Sequence, residues 1–232
     1  MSVWSQLGTF LSGVVTDAFT TVVEAVRTVF EGDPETRRQV AFSVAMIALS
    51  AKMAKADGIV TDEEITAFRD IFDVPQKEIN NVSRLYNLAR QDVAGYQAYA
   101  ERVKSLFPEE KAILQDVIHG LFHIAKADGI FHVRELAFMD DVAEIFGIRG
   151  RDYERLRSRH MEPEGGNPYV FLEASDDWSD DELKSHYRKL VAENHPDKLI
   201  ARGVPPEFVS IATKRLAEIN SAWDQVKLER DL

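Results

Sequence analysis

Apolar residues recur every three to four positions through nearly all of this chain, and period-two alternation is scarce, so the pattern predicts an all-helical protein. Over residues 36–56, Val40, Val44, Ile47, Ala48 and Ala51 fall on one face, and Gly58 stands where a left-handed C-terminal cap belongs. Thr61-Asp62-Glu63-Glu64 forms a capping box, because the Thr hydroxyl and the Glu carboxylate can satisfy open amides at the start of a helix running through Phe72. Pro75 and Pro108 read as first-turn prolines, opening helices over 75–90 and 108–127. Asp92 reads as the cap of a helix ending at Leu106, and the charged stretch 149–160 as a further short helix.

The first 16 residues carry no charge but hold Val3, Trp4, Leu7, Phe10, Leu11, Val14 and Val15. Helical spacing continues through positions 19, 22, 23, 26 and 30, which predicts an N-terminal amphipathic helix over residues 1–32. The uncharged run is too short to span a bilayer, which takes about 20 apolar residues. It also lacks the basic start and small-residue cleavage site of a secretory signal. Two readings stay open: a helix packed on the protein, or an interfacial membrane helix or oligomer contact over residues 1–30. The polar face lacks the cluster of Lys and Arg that anionic lipid would favour.

An internal repeat organises the middle of the chain. Ala54-Lys55-Ala56-Asp57-Gly58-Ile59 recurs as Ala125-Lys126-Ala127-Asp128-Gly129-Ile130, an offset of 71 residues. Glu64 and Glu135, Ile65 and Leu136, and Phe68 and Met139 then hold equivalent places in the helix after each copy. The pattern predicts two similar helix-turn-helix units packed about a pseudo-twofold axis. It resembles the TerB-like domain of tellurite-resistance proteins, with the core of the resemblance over residues 36–148. On that basis a TerB-like all-helical domain is expected over 33–161, followed by a linker at 162–166, where Pro163-Glu164-Gly165-Gly166 breaks all periodicity.

Residues 167–232 form a second, smaller unit. Tyr169 to Ala174 predicts a short helix, and Ser179-Asp180-Asp181-Glu182 caps a second one that runs to Asn194. Leu183, His186 or Tyr187, Leu190 and Asn194 share a face of that helix; Phe208, Ala212, Leu216, Ile219, Trp223 and Val226 share a face of a third. Two such stripes predict an antiparallel hairpin. Its connection, Asp197 to Pro205, opens on His195-Pro196-Asp197, where Pro196 fixes φ and leaves a ring donor and a carboxylate at the hairpin tip.

Asn167-Pro168-Tyr169, Tyr187-Arg188-Lys189-Leu190, His195-Pro196-Asp197 and Glu218-Ile219-Asn220-Ser221-Ala222-Trp223, in this order, resemble the J domain of DnaJ-type co-chaperones. Joined to the duplicated Lys-Ala-Asp-Gly half, and with Lys198-Leu199 and Gly203-Val204-Pro205-Pro206-Glu207 after the tripeptide, the chain resembles the DjlA family. The resemblance implies a co-chaperone, not an enzyme, that stimulates the ATPase of a DnaK-type chaperone. It carries the partner contact to His195, Pro196 and Asp197, with Lys184, Arg188, Lys189 and Lys198 as the basic residues that meet an acidic surface and Tyr187 beside them. The helical N-terminal half is expected to select a client protein or a location. In that family an N-terminal membrane anchor precedes the TerB-like domain and the J domain is cytoplasmic, so the cytoplasm, at the face of the inner membrane, is the implied address. His186 stands where the family usually has a small apolar residue, and Glu193 adds a negative charge beside the loop.

Composition narrows the chemistry further. The 232 residues carry 28 Lys and Arg against 39 Asp and Glu, a net charge of −11, so no broad field draws the chain to nucleic acid. Without cysteine there are no disulfides, thiolate nucleophiles or Cys-based zinc sites. His119 and His123 share a helix face, with Asp128 and His132 downstream, but no Glu follows His119 as a metalloprotease would require. The acidic turns at Asp57, Asp62, Glu63, Asp128 and Glu135 serve equally as helix caps. No catalytic residue, metal or cofactor is therefore expected. The alternative to a co-chaperone is a non-catalytic adaptor, or a metal-binding helical domain, with a degenerate J domain.

Overall fold

The computed structural model describes residues 4, 5, 7, 34–56, 62–91, 95–162 and 166–232. Within them the protein is all helix: α1 (Pro34–Ala54), α2 (Asp62–Ile71), α3 (Ile79–Ala89), α4 (Tyr96–Leu106), α5 (Lys111–Ala125), α6 (Val133–Phe146), α7 (Arg151–Met161), α8 (Pro168–Phe171), α9 (Asp180–Glu193), α10 (Pro196–Ala201) and α11 (Ser210–Arg230). Short 3-10 turns at Gln76–Glu78 and Pro206–Phe208 precede α3 and α11, and no strand occurs among the described residues.

Helix α1 is the spine of the N-terminal body. It packs against α3, α4, α5 and α6, and every residue from Val40 to Ala54 is buried. The one-faced helix expected from Val40, Val44, Ile47, Ala48 and Ala51 is thus covered on all sides, because small Ala and Ser residues alternate with Met, Ile and Leu and let neighbours approach from every direction. Truncating one of its large side chains, such as Ile47 to Ala, costs about 2–5 kcal/mol.

The two halves of the internal repeat match in burial. Glu64 and Glu135 are buried, as are Phe68 and Met139, while Ile65 and Leu136 are half-buried. In the second copy Asp128 accepts the Ile130 amide at 2.9 Å, and Gly129 takes the left-handed φ of 86° that this turn needs and that glycine alone adopts without cost. Glu135 closes the turn by accepting the His132 amide at the head of α6. Thr61, the expected cap of α2, and Asp57-Gly58-Ile59 of the first copy lie outside the described residues.

Three expected helix starts differ. Pro75 precedes a 3-10 turn, so the α-helix begins at Ile79, one turn later. Pro108 occupies the second position of a turn closed by the Glu110 amide on the Phe107 carbonyl, and α5 starts only at Lys111. Proline's fixed φ suits a turn as well as a first helical turn, so its presence alone does not distinguish the two. Helix α4 is capped by Gly95, and Asp92 lies outside the described residues.

In the C-terminal hairpin, α9 and α11 pack on one another and α8 packs on α11. Leu172, Leu183, Leu190, Ile219, Ala222, Trp223 and Val226 form a small core of their own. The first helix ends at Phe171, short of the expected Ala174, because Glu173 turns to a left-handed φ of 53°. The connection expected as a loop over 197–205 is mostly the helix α10, followed by a turn at Gly203, whose φ of 85° again needs glycine. Its apolar residues leave the hairpin: Leu199, Val204, Phe208, Ile211 and Ala212 join the core of the N-terminal body. Phe208 meets Phe42, Phe72 and Trp4 at ring distances of 5.1, 4.9 and 5.4 Å. The body core reaches Leu156 and the hairpin core begins at Leu172, on either side of 162–166, while Leu199 to Ala212 return to the body core before Ile219 rejoins the hairpin core.

Of the expected N-terminal helix, Trp4 and Leu7 are described, and both are buried in the body core. The remainder of residues 1–32 lies outside the described residues.

Candidate functional site: the His-Pro-Asp corner and its basic face

The corner is built by two helix ends. Helix α9 begins at the expected capping box, with the Ser179 hydroxyl and the Glu182 carboxylate each meeting the other's backbone amide. It stops at Asn194, which is buried and donates its side-chain amide back to the Leu190 carbonyl at 2.7 Å. His195 is then the cap of α10, extended at φ −69° and ψ 129°, and Pro196 takes the first helical position, where a missing amide costs nothing. The His195 Nδ1 accepts the Asp197 amide at 3.2 Å. That bond defines the neutral tautomer in which Nε2 carries the proton, leaving a donor aimed away from the helix. The side chains of His195 and Asp197 are 50% and 86% exposed, so a donor and an acceptor sit side by side in water on a rigid backbone.

Helix α9 supplies the basic face. Arg188 and Lys189 are exposed and Lys184 is half-buried; Lys198, on the first turn of α10, is exposed. Lys189 lies 3.9 Å from Glu193 one turn on, an exposed pair worth about 0.3–0.5 kcal/mol. Tyr187 differs from its neighbours: its ring stacks on Trp223, centroids 4.7 Å apart, and its hydroxyl donates to Asn220 at 3.0 Å. It joins α9 to α11 first and offers only its edge to solvent. His186 points the other way, donating from Nε2 to the Leu172 carbonyl at 2.8 Å and standing edge-on to Trp178.

A second cluster, which sequence reasoning missed, lies in the seam between body and hairpin. Arg215 of α11 meets Asp116 of α5 at 2.8 Å and Glu173 at 3.7 Å, and Arg159 of α7 meets Glu173 at 3.2 Å and donates to the Phe171 carbonyl. Burial pulls the Arg159 guanidinium down to about 10, still charged at neutral pH. Burial also raises the Asp116 carboxyl, against the pull of Arg215. The His119 ring is tilted 53° against that of His160, centroids 4.5 Å apart, with His160 flat on Phe122 at 4.6 Å, and burial holds both imidazoles well below their ordinary value, hence neutral. The one signal available in the sequence was Asp116, a lone acid in the largely apolar run from Ala112 to Phe122; Arg215, beside Lys214, gave none.

The candidate metal residues do not converge. His119 is buried against His160, with Glu218 at 3.8 Å, while His132 pairs with Asp128 at 3.6 Å at the head of α6. Among the described residues no group of three or more His, Asp or Glu side chains is arranged to hold a metal ion. No helix of the described residues is long and apolar enough to cross a membrane.

A duplicated helical body carrying a two-helix hairpin with an exposed His-Pro-Asp corner defines a class, the J-domain co-chaperones. Residues 43–158 match the TerB family, tellurite resistance protein TerB, which accounts for the body. Over most of its length the chain is similar to co-chaperone protein DjlA of Yersinia pestis, 30% identical over 247 residues, covering 89% of this chain and 85% of the relative. It is likewise similar to the DjlA proteins of Vibrio cholerae, 28% identical over 87% of this chain and 82% of the relative, and of Photobacterium profundum, 27% identical over 83% and 79%. The chain belongs to the DjlA family of co-chaperones. No solved structure gives a significant match.

Proposed function

We propose that this co-chaperone stimulates the ATPase of a DnaK-type chaperone through His195, Pro196 and Asp197, with Lys184, Arg188, Lys189 and Lys198 steering the encounter and Tyr187 at its edge. The observation that carries this reading is the exposure of the His195 and Asp197 side chains on a backbone that Pro196 and the Asn194 cap hold still. Polar groups with no core to enter, kept rigid at a helix corner, are suited to a partner. The corner does no chemistry of its own. It acts by binding one state of the chaperone more tightly than the other, since a ligand shifts an equilibrium only by its differential affinity. The cationic face sets the association rate and the salt sensitivity more than the final affinity.

The division of labour follows: residues 167–232 act as the J domain, 162–166 as its connection, and the TerB-like residues 33–161 select the client protein or the location. At the N-terminus we favour packing of Trp4 and Leu7 on the protein over a membrane contact. Burial of Trp4 and Leu7, and the Trp4 ring beside Phe208, support that choice. A protein so packed resides in the cytoplasm without needing lipid, and extraction of cell membranes tests this: release in high salt without detergent is expected, and release in detergent alone contradicts it.

The functional test is the steady-state ATPase of the cognate DnaK-type protein. Wild type is expected to accelerate it in a saturable manner and His195→Gln to leave the basal rate. Equal stimulation by both, or none by wild type, ends the reading and leaves a non-catalytic adaptor.

A further inference from the structure

The segment directly after the His-Pro-Asp corner is fastened to the N-terminal body at every turn. Leu199, Val204 and Phe208 are buried in the body core, and the Ser210 hydroxyl donates to the Ile71 carbonyl at the end of α2. At Ile211 the helices α5 and α11 come so close that a Cβ on Gly120 would stand 2.9 Å from the Ile211 Cδ1. One turn further along α11, Arg215 meets Asp116 of α5, with side chains 6% and 8% exposed.

Apolar contacts alone tolerate sliding, whereas a buried ion pair has one good geometry and a high cost for any other. The pair therefore fixes the register of α11 on α5. Because α10 and the Gly203 turn link the corner to α11 in a few residues, the same pair fixes where α10 and its cap, His195, stand. We propose that Asp116 and Arg215 are positioning residues for the His195-Pro196-Asp197 corner: their buried pair docks the start of α11 on the body and so holds the corner in its partner-ready shape. This rests on the co-chaperone function proposed above.

When the pair is broken, the corner samples other shapes and only a fraction of molecules is competent at any moment. Apparent affinity for the chaperone then falls by that fraction while the maximal rate, reached at saturation, is kept. A purely stabilising pair behaves otherwise, lowering the amount of folded protein seen by circular dichroism while leaving the body-to-hairpin distance in the molecules that remain folded unchanged.

The absence of cysteine allows a direct test in the full chain. Spin labels on Val133→Cys of α6 and Leu228→Cys of α11, both 82% exposed, report the distance between body and hairpin. A single narrow distribution is expected in the otherwise unaltered chain. Asp116→Asn should broaden it and raise the half-saturating concentration for ATPase stimulation by roughly tenfold at unchanged maximal rate, the effect of a competent fraction near one tenth. Gly120→Val, which forces α5 and α11 apart without touching a charge, should reproduce the Asp116→Asn result if that variant is poorly folded. A broad distribution in wild type overturns the proposal, as does a wild-type distribution in both Asp116→Asn and Gly120→Val, or a fall in maximal rate with the half-saturating concentration unmoved. If wild type fails to stimulate at all, the functional reading is what fails, and the distance distributions still decide whether the pair docks the hairpin.

Discussion

The Tyr187 ring lies flat on the indole of Trp223, planes 10° apart and centroids at 4.7 Å, and this stack joins the helix bearing the basic face to the last helix of the chain. Its consequences separate two roles for Tyr187. Tyr187→Phe keeps the stack and loses only the bond to Asn220, so it should cost about 1 kcal/mol of stability and leave ATPase stimulation intact. Tyr187→Ala removes ring area and stack together, about 3–5 kcal/mol, and should loosen the hairpin. Urea unfolding of the two variants, beside wild type, checks the order; a Phe variant as damaging as Ala would mean that the hydroxyl, not the ring, matters.

His195 has a structural duty as well as an exposed donor, and one substitution divides them. Asn is as good a helix cap as any residue, but its shorter side chain does not reach where the imidazole Nε2 stands. His195→Asn should therefore stay within about 1 kcal/mol of wild type in thermal unfolding while losing stimulation. Retained stimulation would place the activity in the backbone corner and not in the ring.

Glu193 stands 3.9 Å from Lys189, and under the proposed function it competes with the chaperone for that ammonium. Glu193→Gln should lower the half-saturating concentration about two- to threefold at low ionic strength and lose that advantage as salt screens the face. Titrations of ATPase rate at two salt concentrations measure this, and a gain that persists at high salt would point to a contact other than charge.

The buried neighbours His119 and His160 make the seam sensitive to acid. Burial lowers both imidazoles well below 6.5, so the folded protein binds fewer protons than the unfolded chain does once the pH falls under 6.5. Their contribution to stability is thus whole above pH 6.5 and is lost as the pH drops below it, by about 1.4 kcal/mol per pH unit for each ring. Asp116 and Glu218 act in the opposite sense, because their raised values favour proton uptake in the folded state as the pH falls. The urea midpoint should therefore fall between pH 7.5 and 5.5, and His160→Phe, which keeps the stack on Phe122, should flatten the slope. An equal slope in that variant would assign the acid sensitivity elsewhere.

Much of the hairpin was legible in sequence because its signals are local. Ser179 and Glu182 form their capping box, Asn167 caps α8 ahead of Pro168, and His195-Pro196-Asp197 opens a corner, each decided by neighbours within a few residues. The repeat was legible for the same reason, with Glu135 and Gly129 doing what their spacing implied. Legibility failed where a residue's partner is remote. Nothing near Phe208 says that it meets Phe42 and Phe72, which come from two separate elements far upstream, or that Leu199 joins the same core. Asp116 and Arg215 stand 99 residues apart, and Arg215 sits beside Lys214 in a mixed stretch, so nothing local carried a sign that they meet. Pro75 and Pro108 misled for a different reason, since a fixed φ opens a turn as readily as a helix.

The central claim is that the exposed His195-Pro196-Asp197 corner switches a DnaK-type ATPase. Its most direct test is the ATPase rate of that chaperone titrated with wild type and with His195→Gln, both confirmed folded by circular dichroism. The account predicts saturable acceleration by wild type and the basal rate with the variant at every concentration. Equal acceleration by the two proteins, or none by wild type, would contradict it.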